Sequence, residues 1–322
     1  MKVRQFADEM EIAQALLVRE AEARRRHDGG DLLKLTLGDR TGSVPAIVRE
    51  NVAAARDTCR PGRIVHVTGR FILHPRFGPQ IEVTAVRPAD RAEYTREELI
   101  DGPTRGPEQM EVDLRELVST VQNPHLGRLL ELVFGETSAT WAAYRDAPAA
   151  KRYHQAYRHG LLEHSLTVAQ AVSTISATFP GIDRDIAVTG ALLHDIGKLH
   201  SFDVDGDAIS MSDDGRLYGE IPLGYYTIRR LIETLEEFPP ELEQAVLHII
   251  LSHHGTLAHG SPVVPCTREA ALVHAIDSLG AQLGSFDRLE KQLPAGVQWS
   301  GYDKALGGGA YFAARIEERE AA

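Results

Sequence analysis

Residues 186–199 read IAVTGALLHDIGKL, and this stretch decides what the second half of the chain is. Its apolar residues recur at three- and four-residue intervals, the spacing of a helix with a buried face. Into that run it sets an imidazole and a carboxylate side by side, His194 and Asp195. Such a pair is costly to bury unless the two groups satisfy each other or bind a cation. Neutral imidazole with carboxylate suits Fe, Ni, Co or Zn, and oxygen-rich surroundings favour Mn. Lys198 follows His194 by four residues, which predicts a shared helix face. From there its ammonium would hold a phosphate oxygen or neutralise charge in a transition state. Asp195 and Lys198 are the catalytic candidates.

Outward from this stretch, helical spacing runs from about residue 110 to the C-terminus. Segments 111–134, 160–178, 184–199, 222–237, 240–253, 267–282 and 310–319 carry it, and strand-like runs are nearly absent, so residues 110–322 are expected to form an all-α bundle. Three further segments bring metal-binding residue types: GLLEH at 160–164 with His164, HHG at 253–255 with His253 and His254, and HAID at 274–277 with Asp277. A lone histidine such as His248 or His274 is adequately explained as a hydrogen-bonded residue of the bundle. The ordered set on apolar helices is far more specific. A carboxylate at Asp195 would bridge two ions, with His164, His194 and Asp277 completing one of them.

The first 90 residues follow a different rule. Residues 31–48, DLLKLTLGDRTGSVPAIV, alternate with period two: Leu33, Leu35 and Leu37 point one way, Lys34 and Thr36 the other. DRTG at 39–42 supplies a turn, and Pro45 hints at an edge or a bulge. Residues 63–73 and 80–87 read as two more strands around a loop at 74–79, and a short helix fits 50–58. Four or five short strands in this order predict a small barrel of the OB type at 1–90. Residues 91–109 are charged and Pro/Gly-bearing, and read as a linker. The expected fold class is therefore α+β multidomain: an N-terminal OB-fold barrel followed by a helical bundle.

The whole chain has 322 residues and net charge −11, unevenly spread. Residues 1–108 hold 18 basic and 17 acidic side chains, and 109–322 hold 17 and 29. Within 31–88 the balance is 9 to 5 in favour of basic residues, so the barrel is the part suited to a phosphate backbone. Small barrels bind single strands by stacking bases on aromatics beside basic side chains. The candidates are Lys34, Arg70, Phe71, Arg76 and Phe77, with His66 and His74 nearby. Cys59 and Cys266 are the only cysteines, too few for a Cys-rich zinc site or a disulfide scaffold. No apolar run reaches 18 residues and the N-terminus lacks a signal-peptide pattern, so a cytoplasmic protein without membrane contact is expected.

The pattern GLLEH, LLHDIGK, GRLYGEI, ILSHHG, GSP, then His274 and Asp277, resembles the HD superfamily of metal-dependent phosphohydrolases. With the preceding barrel it is similar to the YhaM-type 3′–5′ exoribonucleases. The resemblance spans nearly the whole chain, and the LSHHG–GSP block at 251–262 is its most specific part. It implies a manganese-type enzyme, with one or two ions, that removes nucleotides from the 3′ end of single-stranded RNA, with single-stranded DNA as a second substrate. His253 or His254 would serve the second ion. His154 and His159 would contact substrate phosphate. One position departs from the family: where it reads G-H-I with a ligand His, this chain has Gly219–Glu220–Ile221. Glu220 either keeps the second ion through oxygen or is a solvated helix-start residue.

Two other readings compete. One is an HD hydrolase acting on a nucleotide or cyclic dinucleotide, although the G-Y-P signature of the latter class is only half matched by Gly224–Tyr225–Tyr226. The other is a catalytically impaired RNA-binding protein in which Glu220 marks decay. Self-association through exposed helix faces is compatible with either.

Overall fold

The computed structural model describes residues 1–25, 30–100, 102–151, 155–205, 208–293 and 297–313. The barrel is organised by its first strand, β1 (Met10–Arg25), which is long enough to serve two neighbours. Its first half, Met10–Leu17, pairs antiparallel with β4 (Ile64–His74), and its second half pairs with β2 (Asp31–Asp39). An irregularity between Val18 and Glu20 lets the strand bend from one partner to the other. At that bend Ala15, Leu16, Leu17 and Val18 are all buried, so the alternation that marks a one-sided strand is lost there.

β3 (Gly42–Val48) pairs with β2 and then runs parallel to β5 (Gly78–Pro88) through Ala46, Ile47 and Val48. The order β1-β2-β3-β5-β4 closes on itself, with α1 (Val52–Thr58) between β3 and β4. This is the five-stranded Greek-key barrel of the OB type. Pro45 pairs with Thr36 and lies just before the β3–β5 ladder begins, where its missing N–H removes no ladder bond. The expected alternation on β2 holds: Leu33, Leu35 and Leu37 fill the interior with Ile12, Val65 and Ile81. The DRTG turn is fixed by Asp39, whose buried carboxylate accepts from Val3 N, Thr41 N and Gly42 N.

After α2 (Arg96–Leu99) the helices follow as α3 (Pro107–Ser119), α4 (Pro124–Phe134), α5 (Trp141–Asp146), α6 (Gly160–Ser176), α7 (Arg184–Leu193), α8 (Lys198–Ser201), α9 (Asp213–Leu217), α10 (Glu220–Ile232), α11 (Pro240–Ser252) and α12 (Arg268–Gln292). The expected helix 111–134 is two helices, because Asn123 caps α4 through His125 N and Leu126 N and Pro124 takes its first position. Strands β6 (Phe202–Asp205) and β7 (Ala208–Met211) pair with each other, a departure from the all-helical expectation. Within the predicted helix 310–319, Tyr311 instead forms an antiparallel bridge with Trp299, and residues 314–319 lie outside the described residues.

By its internal contacts the chain groups into two units. One holds the barrel residues with Asp205, Ala208 and the described residues from Ser285 onward; the other holds Gly102–Val204 and Ile209–Gly284. Domain blocks of 1–90, 91–109 and 110–322 follow the order of the chain, whereas this grouping is discontinuous. In the second unit, α6 packs on α7 and α7 on α11, burying Leu162, Leu166, Leu192, Ile249 and Ile250.

Candidate metal centre

Helices α7 and α11 end in the same way, and that ending builds the site. In each, the residue after the last turn is a histidine in helical conformation: His194 after Leu193, and His253 after Ser252. His194 Nδ1 lies 2.7 Å from Ala191 O, and His253 Nδ1 lies 2.8 Å from Ile250 O. A carbonyl cannot donate, so Nδ1 carries the proton in both and Nε2 turns inward with its lone pair. Beyond that contact residues 194–200 proceed by tighter bonds, Ile196 N to Leu193 O and Lys198 N to Asp195 O. The predicted helix 184–199 therefore breaks at Leu193. Lys198 shares no helix face with His194; it opens α8 and is bonded to Asp195 instead.

The other two imidazoles are held by the same device. His164, in the first turns of α6, has Nδ1 3.1 Å from Gln155 Oε1, and His254 Nδ1 lies 2.9 Å from His259 O. Four imidazoles thus each give Nδ1–H to an oxygen and leave Nε2 for another partner. This is how metal-binding histidines are oriented in proteins.

The acceptor atoms converge in two sets around Asp195, each lying within 4.8 Å of one another: His164, His194 and Asp277 in one, and Asp195, Glu220, His253 and His254 in the other. His164 Nε2 is 3.2 Å from His194 Nε2, 3.1 Å from Asp277 Oδ1 and 3.2 Å from Asp195 Oδ2. On the other side, His253 Nε2 is 3.5 Å from Asp195 Oδ1, and His254 Nε2 is 3.2 Å from Glu220 Oε1. Asp195 gives one oxygen to each set. Its Oδ1 and His253 Nε2 are buried and lack any hydrogen-bond partner. Two orphaned buried acceptors facing each other are destabilising unless a cation lies between them. The donor set, two imidazoles and a carboxylate on each side of a shared carboxylate, fits divalent metals of the Mn–Zn series.

The electrostatics agree. Burial would depress His164, but hydrogen bonds to the carboxylates of Asp195 and Asp277 outweigh it and push the imidazole up to about 9. Burial would raise Asp195 and Asp277; the cations and imidazoles around them hold both below the ordinary carboxylate range. Burial dominates at His253 and lowers it. Lys198 Nζ sits 2.7 Å from Asp195 Oδ2, and although burial opposes its charge, Asp195 and Glu220 raise it overall.

Glu220 reaches the centre because of a glycine. A Cβ on Gly197 would lie 1.9 Å from Glu220 O and 2.5 Å from Gly224 N, so only glycine lets the start of α10 approach the 194–197 turn so closely. The Glu220 side chain is mostly buried, with Oε1 3.2 Å from His254 Nε2, rather than solvated at the helix start. A neighbouring buried carboxylate, Glu163, has no such role: Thr104 N at 2.8 Å, Thr104 Oγ1 at 2.7 Å and the Tyr157 hydroxyl take its oxygens.

Several candidates lie elsewhere. His159 caps α6 in the left-handed region, with Nδ1 2.8 Å from Arg145 O and 3.4 Å from Asp146 Oδ1, so its ring is engaged structurally. His154 lies outside the described residues. His248 Nε2 accepts from Cys266 N, the hydrogen-bonded role expected of it. On the barrel, Phe71 is a core residue packed against Phe6 and presents no face for stacking. Arg70 is paired with Glu9 and Glu11. Phe77 is 66% exposed, beside His74 and under the Arg76 guanidinium, and keeps the features of a stacking residue. Lys34 is exposed on β2.

Three residues outside the acceptor sets support them, and of these only His274 has its role, a hydrogen-bonded histidine of the bundle, foretold by the sequence. Gln155, in an irregular segment, orients His164. His274 donates from Nδ1 to His253 O at 2.7 Å and braces the HHG turn. Gly255, at φ +80, leaves room for that ring, which a Cβ would meet at 2.2 Å.

Residues 161–282 match the HD domain family. Over most of its length the chain is also similar to curated proteins called 3′-5′ exoribonuclease YhaM. It is 27% identical to the one from Bacillus subtilis (strain 168), covering 88% of this chain and 89% of the relative. It is 29% identical to that of Geobacillus sp. (strain WCH70), covering 87% and 85%, and 27% identical to that of Oceanobacillus iheyensis, covering 95% and 94%. Among the described residues no helix is long and apolar enough to cross a membrane.

Proposed function

We propose that this chain, with its match to the HD domain over 161–282 and its similarity over most of its length to proteins named as 3′-5′ exoribonucleases, is a divalent-metal-dependent hydrolase that removes nucleotides from the 3′ end of single-stranded RNA. The observation that carries the reading is the pair of acceptor sets that meet at Asp195, whose Oδ2 lies 3.2 Å from His164 Nε2 and whose Oδ1 lies 3.5 Å from His253 Nε2. His164, His194, Asp195 and Asp277 would hold one cation, and Asp195, Glu220, His253 and His254 a second. Mn²⁺ is the favoured ion, since each set mixes two imidazoles with carboxylate oxygen. Such ions polarise phosphoryl oxygens and lower the pKa of water from about 15.7 toward about 7.

The chain's own residues supply the rest. The four Nδ1–H contacts fix the imidazoles before any ligand arrives, so little reorganisation is needed at the moment of reaction. Lys198 keeps Asp195 ionised and places a positive charge beside the position a scissile phosphate would take. Arg76 and Phe77 on the barrel offer a cation and an exposed ring to the strand.

The test is digestion of single-stranded RNA carrying a 5′ label, with Mn²⁺ and with EDTA. A ladder shortening from the 3′ end, seen only with metal, supports the reading. Internal cuts, or turnover of free nucleotides and cyclic dinucleotides in preference to oligonucleotides, would replace it. A single-stranded DNA substrate run in parallel sets the sugar preference.

A further inference from the structure

A cleft of about 770 Å³ lies in the barrel unit, where the end of β1 meets α1, remote in sequence from every residue of the metal centre. Four arginines line it: Arg24 and Arg25 at the end of β1, and Arg56 and Arg60 in and after α1, against two carboxylates, Asp31 and Asp57. A local excess of positive charge is notable in a chain of net charge −11. The four are not equally engaged. Arg24 pairs with Glu22 at 2.9 Å and Arg60 stands 3.8 Å from Asp57, while Arg25 and Arg56 form no ion pair among the described residues. All four are exposed. Between them the cleft is walled by small apolar side chains, Ala53 and Val52 included. Beyond the cleft, Glu22 pairs with Arg24 and is the cross-strand partner of Lys34 on β2, so the carboxylate next to the cleft is already engaged by cations.

Like charges crowded on one cleft repel one another, and an anionic ligand relieves that repulsion. Guanidinium forks match phosphate oxygens in two-point fashion, and apolar walls between them accept a ribose or a base. A lone phosphate has no use for such walls. We infer that this cleft binds the phosphodiester backbone of a single-stranded nucleic acid, through Arg25 and Arg56 with Arg24 and Arg60 in support. The proposal rests on the nuclease reading above for the identity of the strand. It places the main electrostatic contact of the barrel at the β1–α1 end, away from Arg76 and Phe77.

The test uses the full chain in EDTA, so that no substrate is consumed, and follows binding of a fluorescent 20-nucleotide RNA by anisotropy between 50 and 300 mM NaCl. Each phosphate contact with a single strand contributes about 0.7 to the slope of log K against log salt. The double variant Arg25→Glu/Arg56→Glu is expected to lose about 1.4 from that slope and at least tenfold in affinity at 100 mM salt. Lys2→Glu/Arg4→Glu, the same change of charge elsewhere on the barrel unit, is the comparison, and thermal melting verifies that both variants are folded. Equal small effects from the two variants, with tight binding by the wild type, would overturn the cleft assignment and leave the nuclease reading intact. Failure of the wild type to bind RNA or DNA of this length would remove both. Competition by single-stranded DNA of the same length but not by inorganic pyrophosphate supports a strand ligand; equal competition by pyrophosphate would reduce the cleft to a small-anion site and overturn the proposal.

Discussion

Glu220 Oε1 lies 3.2 Å from His254 Nε2, and the pair stands within reach of Asp195 and His253. The carboxylate at the position where the family resemblance expects a histidine thus lies among the acceptors of the second set. Glu220→Ala is expected to remove one of two bound cations and to lower kcat at least tenfold, whereas Glu220→His should restore the count. Metal content and turnover, measured side by side, check it. Full occupancy in Glu220→Ala would show that this side chain is no ligand.

Gly197→Ala should reproduce part of that loss from a distance. The added methyl meets Glu220 O and Gly224 N, backbone atoms that cannot move alone, so α10 must shift. The expected result is weaker binding of the second cation with the first retained, read by metal titration.

Gln155→Ala addresses orientation. Without the Nδ1 partner at 3.1 Å, the His164 ring is not held, and outer-shell losses of this kind typically cost about 10–100-fold in metal affinity. An unchanged affinity would mean that packing alone fixes the ring.

The metal-free protein should have a pH signature. His164 is raised from its ordinary 6.5 to about 9 in the folded chain by Asp195 and Asp277. A raised folded pKa stabilises fully below about 6.5, and that contribution is lost as pH climbs through about 9. Melting in EDTA should therefore fall across this window, while in Mn²⁺ it should not, because cation binding displaces the proton. Parallel curves with and without metal would contradict the assignment of His164.

On the barrel, the two phenylalanines separate structure from binding. Phe71→Ala removes a core ring beside Phe6 and should cost about 3–5 kcal/mol of stability. Phe77→Ala should leave stability unchanged and weaken RNA binding by about 1–3 kcal/mol, the worth of one stacked base. Urea unfolding and anisotropy titrations distinguish the two.

Much of this molecule is legible in its sequence. Alternation at Leu33, Leu35 and Leu37 and the DRTG turn foretell the barrel, since a half-buried strand leaves a period of two. The same reading passes over β1, because residues 15–18 at its bend are buried on both faces and their alternation vanishes. His164, His194, Asp195, His253, His254 and Asp277 could be picked out because polar residues on apolar helices need a reason, whereas Glu220 stood out only against the family resemblance. Their supports could not. Gln155 and Gly197 act through contacts between distant segments, and no local pattern marks those roles. Phe71 was misplaced for a related reason: ring faces on a short strand carry no label for inside or outside until the barrel closes.

The central claim is that two cations share Asp195. The most direct test is the metal content of protein reconstituted with Mn²⁺ at pH 8, for the wild type and for Asp195→Asn. The account predicts two ions per chain in the wild type and at most one in the variant, with loss of RNA trimming. Two ions retained in Asp195→Asn, or none bound by a wild type that still trims RNA, would contradict it.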